Sequence, residues 1–151
     1  MASSTWQSTR SARTTWTGGL NDGSGTVTLV SSGLASYQVS FTKRTADSAD
    51  GTTSPEELIA AAHSSCFAMQ FSALLGGAGG SGQSFDVAAD VTLRPDPAGG
   101  LRISGITLTV SGSADGVSPA DFAKIAQDAK NTCPVSKALT GTDISLVASP
   151  G

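Results

Sequence analysis

The sequence of 151 residues has one histidine, two cysteines and few aromatic side chains. One imidazole and two thiols cannot supply the usual four ligands of a structural zinc site. No G-x-S-x-G run occurs, so the turn that presents a hydrolase serine is missing. Lysine and arginine are scattered and the net charge is −3, which leaves no basic surface for nucleic acid. The opening residues hold no apolar run of the kind a secretory signal needs. They are Ser/Thr-rich and carry Arg10 and Arg13 with no acid before Asp22, a faint likeness to a transit peptide. A flexible N-terminal arm over residues 1–13 is the preferred reading. No uninterrupted apolar run reaches the length of a membrane span. The expectation is a cytoplasmic protein with no membrane or nucleic-acid partner. In that compartment a lasting structural disulfide is unusual, so two cysteines point to redox chemistry or to nothing.

What is present is apolar periodicity in a chain rich in small residues, long enough to bury a core as one domain over 1–151. "TTWTGGLNDGSGTVTLVSS" places two β-prone runs around a turn and predicts a hairpin. "SYQVSFTKR" alternates and predicts a third strand ending at Lys43 and Arg44. Ser54-Pro55-Glu56-Glu57 is a helix start, with Ser54 as N-cap, Pro55 at the first position and Glu57 closing a capping box. Leu58, Ile59, Ala62, Cys66, Met69 and Ala73 recur at helical spacing, and small residues fill most of the rest. The helix therefore reads as apolar on most sides and centrally buried, ending at "GGAGGSG". "FDVAADVTL" predicts a strand with Phe85, Val87, Ala89, Val91 and Leu93 on one face. "RPDPAGG" is a turn, and "LRISGITLTVSGS" is a strand in which Gly105 suggests a bulge. Ser118 opens "PADFAKIAQDAKN" as a second capped helix, Cys133-Pro134 opens a short one, and "TDISLVAS" closes as a strand. This order lacks strict β-α alternation, so the fold class is α+β with largely antiparallel sheet.

Several residues could carry chemistry. Gly77, Gly79 and Gly82 match G-x-G-x-x-G, but the match follows a helix and precedes a strand, the reverse of a dinucleotide site. It reads as a loop. His63 stands three residues before Cys66 on the same helical face. It could serve the thiol as a base, yet no orienting carboxylate stands nearby, and a core or interface histidine bonded to backbone is the plainer reading. Cys133 at the N-cap of a helix would have its thiolate favoured by free N–H groups and the helix dipole, or would be a cap chosen for geometry. Glu56 has no capping duty, and dipole complementation is its simple role. Lys43 and Arg44 could be no more than a solvated strand end.

Taken together, "SPEELIAAAHSSCFAMQFSALL" and "KNTCPVSKAL" resemble the two cysteine motifs of the OsmC/Ohr proteins, thiol peroxidases that reduce organic hydroperoxides. The resemblance extends from "WTGGLNDGSGTVTL" to the last strand and includes "DVTL" and C-P-V-S. It implies the OsmC-like fold, largely antiparallel sheets wrapped around the central buried helices of an intertwined dimer. It implies Cys66 as the peroxidatic and Cys133 as the resolving cysteine, with Glu56 as the active-site glutamate. The family's arginine sits in the first hairpin of Ohr-type chains, where "GGLNDGSG" has none. In OsmC-type chains it ends the third strand, where Arg44 stands, so the chain looks OsmC-like.

The chemistry implied needs no cofactor and no metal. A Cys66 thiolate attacks the peroxide and becomes a sulfenic acid, Cys133 closes a disulfide, and a dithiol reduces it. Lipoyl groups are the reductant of Ohr-type members, and such a donor is the expectation carried here. The corresponding biological role is oxidative-stress defence. Burial alone would leave a thiol inert, whereas a guanidinium held bidentately by Glu56 would favour the thiolate. Glu56 and Cys66 lie about 15 Å apart along a straight helix and differ by about 80° in azimuth. A homodimer is therefore expected, with Glu56 and Arg44 of one chain serving Cys66 of the other. Two rivals remain at this level: a non-enzymatic module binding an apolar ligand along its Ala/Met/Phe-rich helix, and an acyl-transferring thiol hydrolase using Cys66 and His63.

Overall fold

A computed structural model describes residues 5–151. The chain divides into two compact units, the first running to Ser54 and the second spanning Pro55–Gly151.

The first unit is a three-stranded antiparallel sheet in the order β1 (Arg13–Thr17), β2 (Ser24–Thr28), β3 (Ser36–Val39). The expected hairpin is present, with Trp16 opposite Gly25 and Thr14 opposite Val27. Gly18, at φ 96°, makes the sharp turn out of β1 that a Cβ would strain. Among the described residues of this unit, Val27 is the one buried apolar side chain. Part of the expected flexible arm, residues 1–4, lies outside the described residues. Nearer β1, the Ser11 carbonyl accepts hydrogen bonds from the N–H groups of Val30 and Ser31, both at 3.1 Å.

The third strand is shorter than the alternation of "SYQVSFTKR" predicts. It stops at Val39, and Phe41–Arg44 forms a single helical turn, α1. Lys43 and Arg44 thus belong to a helical turn and not to a strand end. The cause is local. Ser40 is extended (φ −152°, ψ 152°) and its hydroxyl accepts from the Lys43 N–H at 3.3 Å, capping the turn. Serine offers the backbone this alternative to a ladder, and a period-two pattern cannot register it.

The second unit holds the helix α2 (Pro55–Gly77), the hairpin β4 (Ser81–Pro95) and β5 (Leu101–Asp115), the helices α3 (Pro119–Thr132) and α4 (Pro134–Ala138), and β6 (Asp143–Pro150). Its sheet has the order β4-β5-β6, antiparallel between β4 and β5 and parallel between β5 and β6. The parallel pair is what the α3–α4 crossover permits. The chain has the expected α+β class. In β4, Phe85, Val87, Ala89, Val91 and Leu93 are half-buried while the residues between them are exposed, as the alternation predicts. The bulge is at Ser104–Gly105, where β5 advances two residues against the single step from Thr92 to Leu93.

The core lies between this sheet and the two longer helices. Phe67, Phe71 and Leu75 of α2 meet Leu108 and Val110 of β5 and Phe122, Ala126 and Ala129 of α3. Phe71 is the hub, with its ring edge-on to Phe85 at 5.0 Å and to Phe122 at 4.9 Å. Such aromatic pairs add to the area they bury. Ser118 caps α3 by accepting from the Asp121 N–H at 3.1 Å. The glycine cluster ends α2 through a Schellman arrangement: Gly79 is left-handed at φ 85°, the Gly80 N–H reaches the Leu75 carbonyl, and the Gly79 N–H reaches that of Gly76.

Two expectations for α2 need refinement. Within the single chain it is buried on one face and not on most sides. His63, Phe67, Phe71 and Leu75 form its buried face, whereas Ala62, Met69 and Ala73 are exposed, Met69 by 73%. A sheet with one neighbouring helix covers one face of a cylinder and no more. The chain also does contain a segment long and apolar enough to cross a membrane, and it is α2 itself. Scattered serines hide this from a search for an unbroken run. Its aromatic residues instead build the core just described.

Candidate active site

The expected central helix and the short helix after Cys133 bring the two cysteines together. Cys66 lies midway along α2, and Cys133 is both the C-cap of α3 and the N-cap of α4. Their sulfurs are 3.2 Å apart, in hydrogen-bond contact, and both are free thiols. Sixty-seven residues separate them in sequence. Cys133 is held from both sides: its N–H donates to the Ala129 carbonyl at 2.9 Å, and its carbonyl accepts from the Lys137 N–H at 3.0 Å.

The two thiols differ in burial, and not in the sense expected. Cys133, read from sequence as the thiol of a helix start, is fully buried in the core cluster. Cys66, read as walled in by core, is half-buried. It sits on the border between the buried and the exposed faces of α2, the place from which a dissolved molecule can reach a sulfur.

Burial pushes the Cys66 thiol above its ordinary value, a backbone N–H from Val135 pulls the other way, and the neighbouring Cys133 thiol adds to the rise. The cap geometry expected for Cys133 therefore works on a different sulfur. The Cys133 side chain makes no capping hydrogen bond, while the first turn of α4 offers its Val135 N–H to Cys66.

His63 is fully buried one turn before Cys66. Its Nε2 lies 2.7 Å from the Ser136 hydroxyl, and its Nδ1 has no partner. Burial lowers its pKa, so the ring is held neutral. The plainer sequence reading, a core histidine, describes its place, although its partner is a side chain of α4 and not the backbone. Ser136 and Val135 were overlooked. The signal available was C-P-V-S, which sets Ser136 three residues after Cys133 just as His63 stands three before Cys66. Glu56 is buried in the first turn of α2. Arg44 is the last residue of α1, in the first unit. Nearby, the Gln70 amide donates to the Thr132 hydroxyl at 2.9 Å and ties α2 to the end of α3.

Residues 46–147 match the family model described as "OsmC-like protein". The chain belongs to the OsmC-like family. It is 40% identical to peroxiredoxin OsmC of Escherichia coli strain K12 over 124 residues, which is 82% of this chain and 85% of that one. Among solved structures it is similar to an organic hydroperoxide resistance protein of Elizabethkingia anophelis, at a TM-score of 0.76 and 26% identity over 97% of this chain and 99% of the other. The organic hydroperoxide resistance protein OhrB of Bacillus subtilis superimposes with a TM-score of 0.70 at 25% identity, covering 92% and 98%. The OsmC-like fold expected from the cysteine motifs is thereby established. So is the enzyme class, a cysteine-based peroxidase: family membership coincides with a pair of thiols already in contact.

Proposed function

We propose that this OsmC-like chain reduces organic hydroperoxides to alcohols through a sulfenic acid on Cys66 and an intramolecular Cys66–Cys133 disulfide. The observation that carries this is the 3.2 Å separation of the two sulfurs. The half-buried Cys66 thiolate attacks the terminal peroxide oxygen, the O–O bond breaks, and the alcohol leaves with a proton. Cys133, buried and adjacent, then displaces the sulfenic hydroxyl as water. Disulfide exchange with a dithiol, a lipoyl group being the candidate carried from Ohr-type relatives, returns both thiols. Oxidative-stress defence in the cytoplasm, by a soluble protein, is the corresponding role.

The first step needs a thiolate, and burial works against it. We assign the opposing charge to Arg44, with Glu56 orienting the guanidinium, because arginine stays charged when desolvated and can be gripped bidentately. Glu56 and Cys66 are separated by about 15 Å along one helix. We therefore assign both supporting residues to a second copy in a homodimer. The apolar stretch Ala62, Met69 and Ala73, left exposed beside Cys66, supports such a seam.

Mass spectrometry after one equivalent of tert-butyl hydroperoxide tests the reaction. The expected product has lost two hydrogens and links Cys66 to Cys133. No consumption in the presence of a dithiol would favour an apolar-ligand module, and an acyl-enzyme formed without need of Cys133 would favour a thiol hydrolase. Arg44→Ala should slow peroxide reduction far more than Lys43→Ala and raise the pH at which Cys66 alkylates. Mixed dimers of Cys66→Ser and Glu56→Ala chains test the shared site. With Glu56 acting across the seam, one intact site remains and about half the wild-type rate returns; a mixed dimer no better than its parents refutes the arrangement.

A further inference from the structure

His63 is a buried ionisable group that the peroxide chemistry leaves unused. A fully buried imidazole with an unpartnered Nδ1 is a costly way to fill core volume, and a buried orphan of this kind calls for a reason. A leucine would fill the space without it.

The reason lies in where its other nitrogen goes. His63 is one turn before Cys66 on α2, and Ser136 is one turn after Cys133 on α4. The Nε2–Oγ contact at 2.7 Å and the Sγ–Sγ contact at 3.2 Å thus cross the same seam between the same two helices. Along α2 they are about 4.5 Å apart. The α4 helix is five residues long, too short to be stable by itself, so its position depends on what ties it down. Its N-cap and first turn carry the polar groups that reach Cys66: the Cys133 sulfur and the Val135 N–H.

We propose that His63 and Ser136 are positioning residues for the resolving step, a buried clasp that holds the start of α4 so that the Cys133 sulfur stays against Cys66. The clasp rests on the peroxidase reading for its biological use, but its physical effect is on closure of the disulfide by any oxidant. In the peroxide cycle the step is Cys66–SOH plus Cys133–SH giving the disulfide and water: the S–O bond breaks, the S–S bond forms, and the Cys133 proton leaves with the hydroxyl. The sulfurs must close from 3.2 Å to about 2.05 Å, so small losses of alignment matter.

The test uses Ser136→Ala, His63→Leu and His63→Gln in the full chain. Leucine keeps apolar bulk without the hydrogen bond, and glutamine returns an amide near the place of Nε2. Rapid mixing with tert-butyl hydroperoxide, with dimedone as trap, separates formation of the sulfenic acid from its loss. Ser136→Ala and His63→Leu should close the disulfide roughly ten- to a hundredfold more slowly, as expected for reacting atoms misplaced by about 1 Å. Both should accumulate the dimedone adduct and slow peroxide attack far less than closure, whereas His63→Gln with Ser136 in place should close at close to the wild-type rate. A second measurement needs no peroxide: equilibration with glutathione disulfide, which takes two electrons from the thiol pair and releases two glutathione molecules. The disulfide should be less favoured in Ser136→Ala and His63→Leu than in wild type and His63→Gln. Closure at the wild-type rate in His63→Leu would reduce His63 to a core filler and overturn the clasp. Equal slowing of peroxide attack and closure would also overturn it, as a general loss of structure. Should Ser136→Ala not fold, the leucine–glutamine comparison decides. If the wild type consumes no hydroperoxide, the peroxidase reading falls, and the glutathione equilibrium alone decides the clasp.

Discussion

Helix α2 carries two apolar faces that meet different fates. His63, Phe67, Phe71 and Leu75 are buried against sheet and helix, while Ala62, Met69 and Ala73 face outward. Both faces are largely apolar; the buried one carries the bulky side chains Phe67, Phe71 and Leu75 together with one polar residue, His63, and the outward one is built of alanine and methionine. What separates them is which side the β4-β5-β6 sheet and α3 occupy. Cys66 lies on the border, with its buried partner behind it and open surface in front. A thiol deeper in the core would meet no substrate, and one further out would not meet Cys133.

The comparison can be broken most severely at the border itself. Cys66→Ser should abolish peroxide turnover, while Cys133→Ser should complete a first turnover and then accumulate sulfenic or higher acids on Cys66. Ser65→Ala, one position away on the exposed side with its hydroxyl bonded to the Ala61 carbonyl, should leave turnover intact. Single-turnover loss of hydroperoxide reads all three, and activity retained in Cys66→Ser would remove that residue from the chemistry.

The next largest effect belongs to the buried face. Phe71→Ala empties the hub of three ring contacts and should cost about 3–5 kcal/mol of stability in urea unfolding. On the same face, His63 offers a pH signature. Its pKa is lowered in the folded chain from 6.5, so below that pH the unfolded chain takes up a proton that the native one refuses. Stability contributed by the neutral ring is present above the unfolded value and is lost as pH falls toward the folded one. For one proton the slope cannot exceed about 1.4 kcal/mol per pH unit. His63 is the chain's one histidine, so His63→Gln should flatten urea midpoints measured across this range. A slope that survives the substitution would assign it to other groups.

The smallest effect is expected across the helix. Met69→Ala should change the stability of dilute chains by less than about 0.5 kcal/mol, as exposed substitutions do. Met69→Lys should weaken the proposed homodimer, as read by sedimentation. If Met69→Ala costs as much as Phe71→Ala in dilute protein, the outward face is part of the core and the two-faced description of α2 fails.

Sequence by itself determined much of this protein. Strand alternation in β4, the serine cap of α3, the proline starts of α2 and α4 and the glycine stop after Gly77 are signals written within a few residues, and each appears where it was read. The two cysteine motifs likewise carried the family. Where the reading failed, local and distant influences were in competition. The Ser40 cap ended the third strand against its alternation. Which face of α2 is buried could not follow from a helix whose apolar residues lie all round, because periodicity locates a face only when the other is polar. Only tertiary structure decided that Cys133 is the buried thiol, that Val135 of α4 serves Cys66, and that His63 finds Ser136. These pairings join residues up to 73 positions apart. They depend on how α4 is set against α2 by the core between them, and no short window of sequence contains that information.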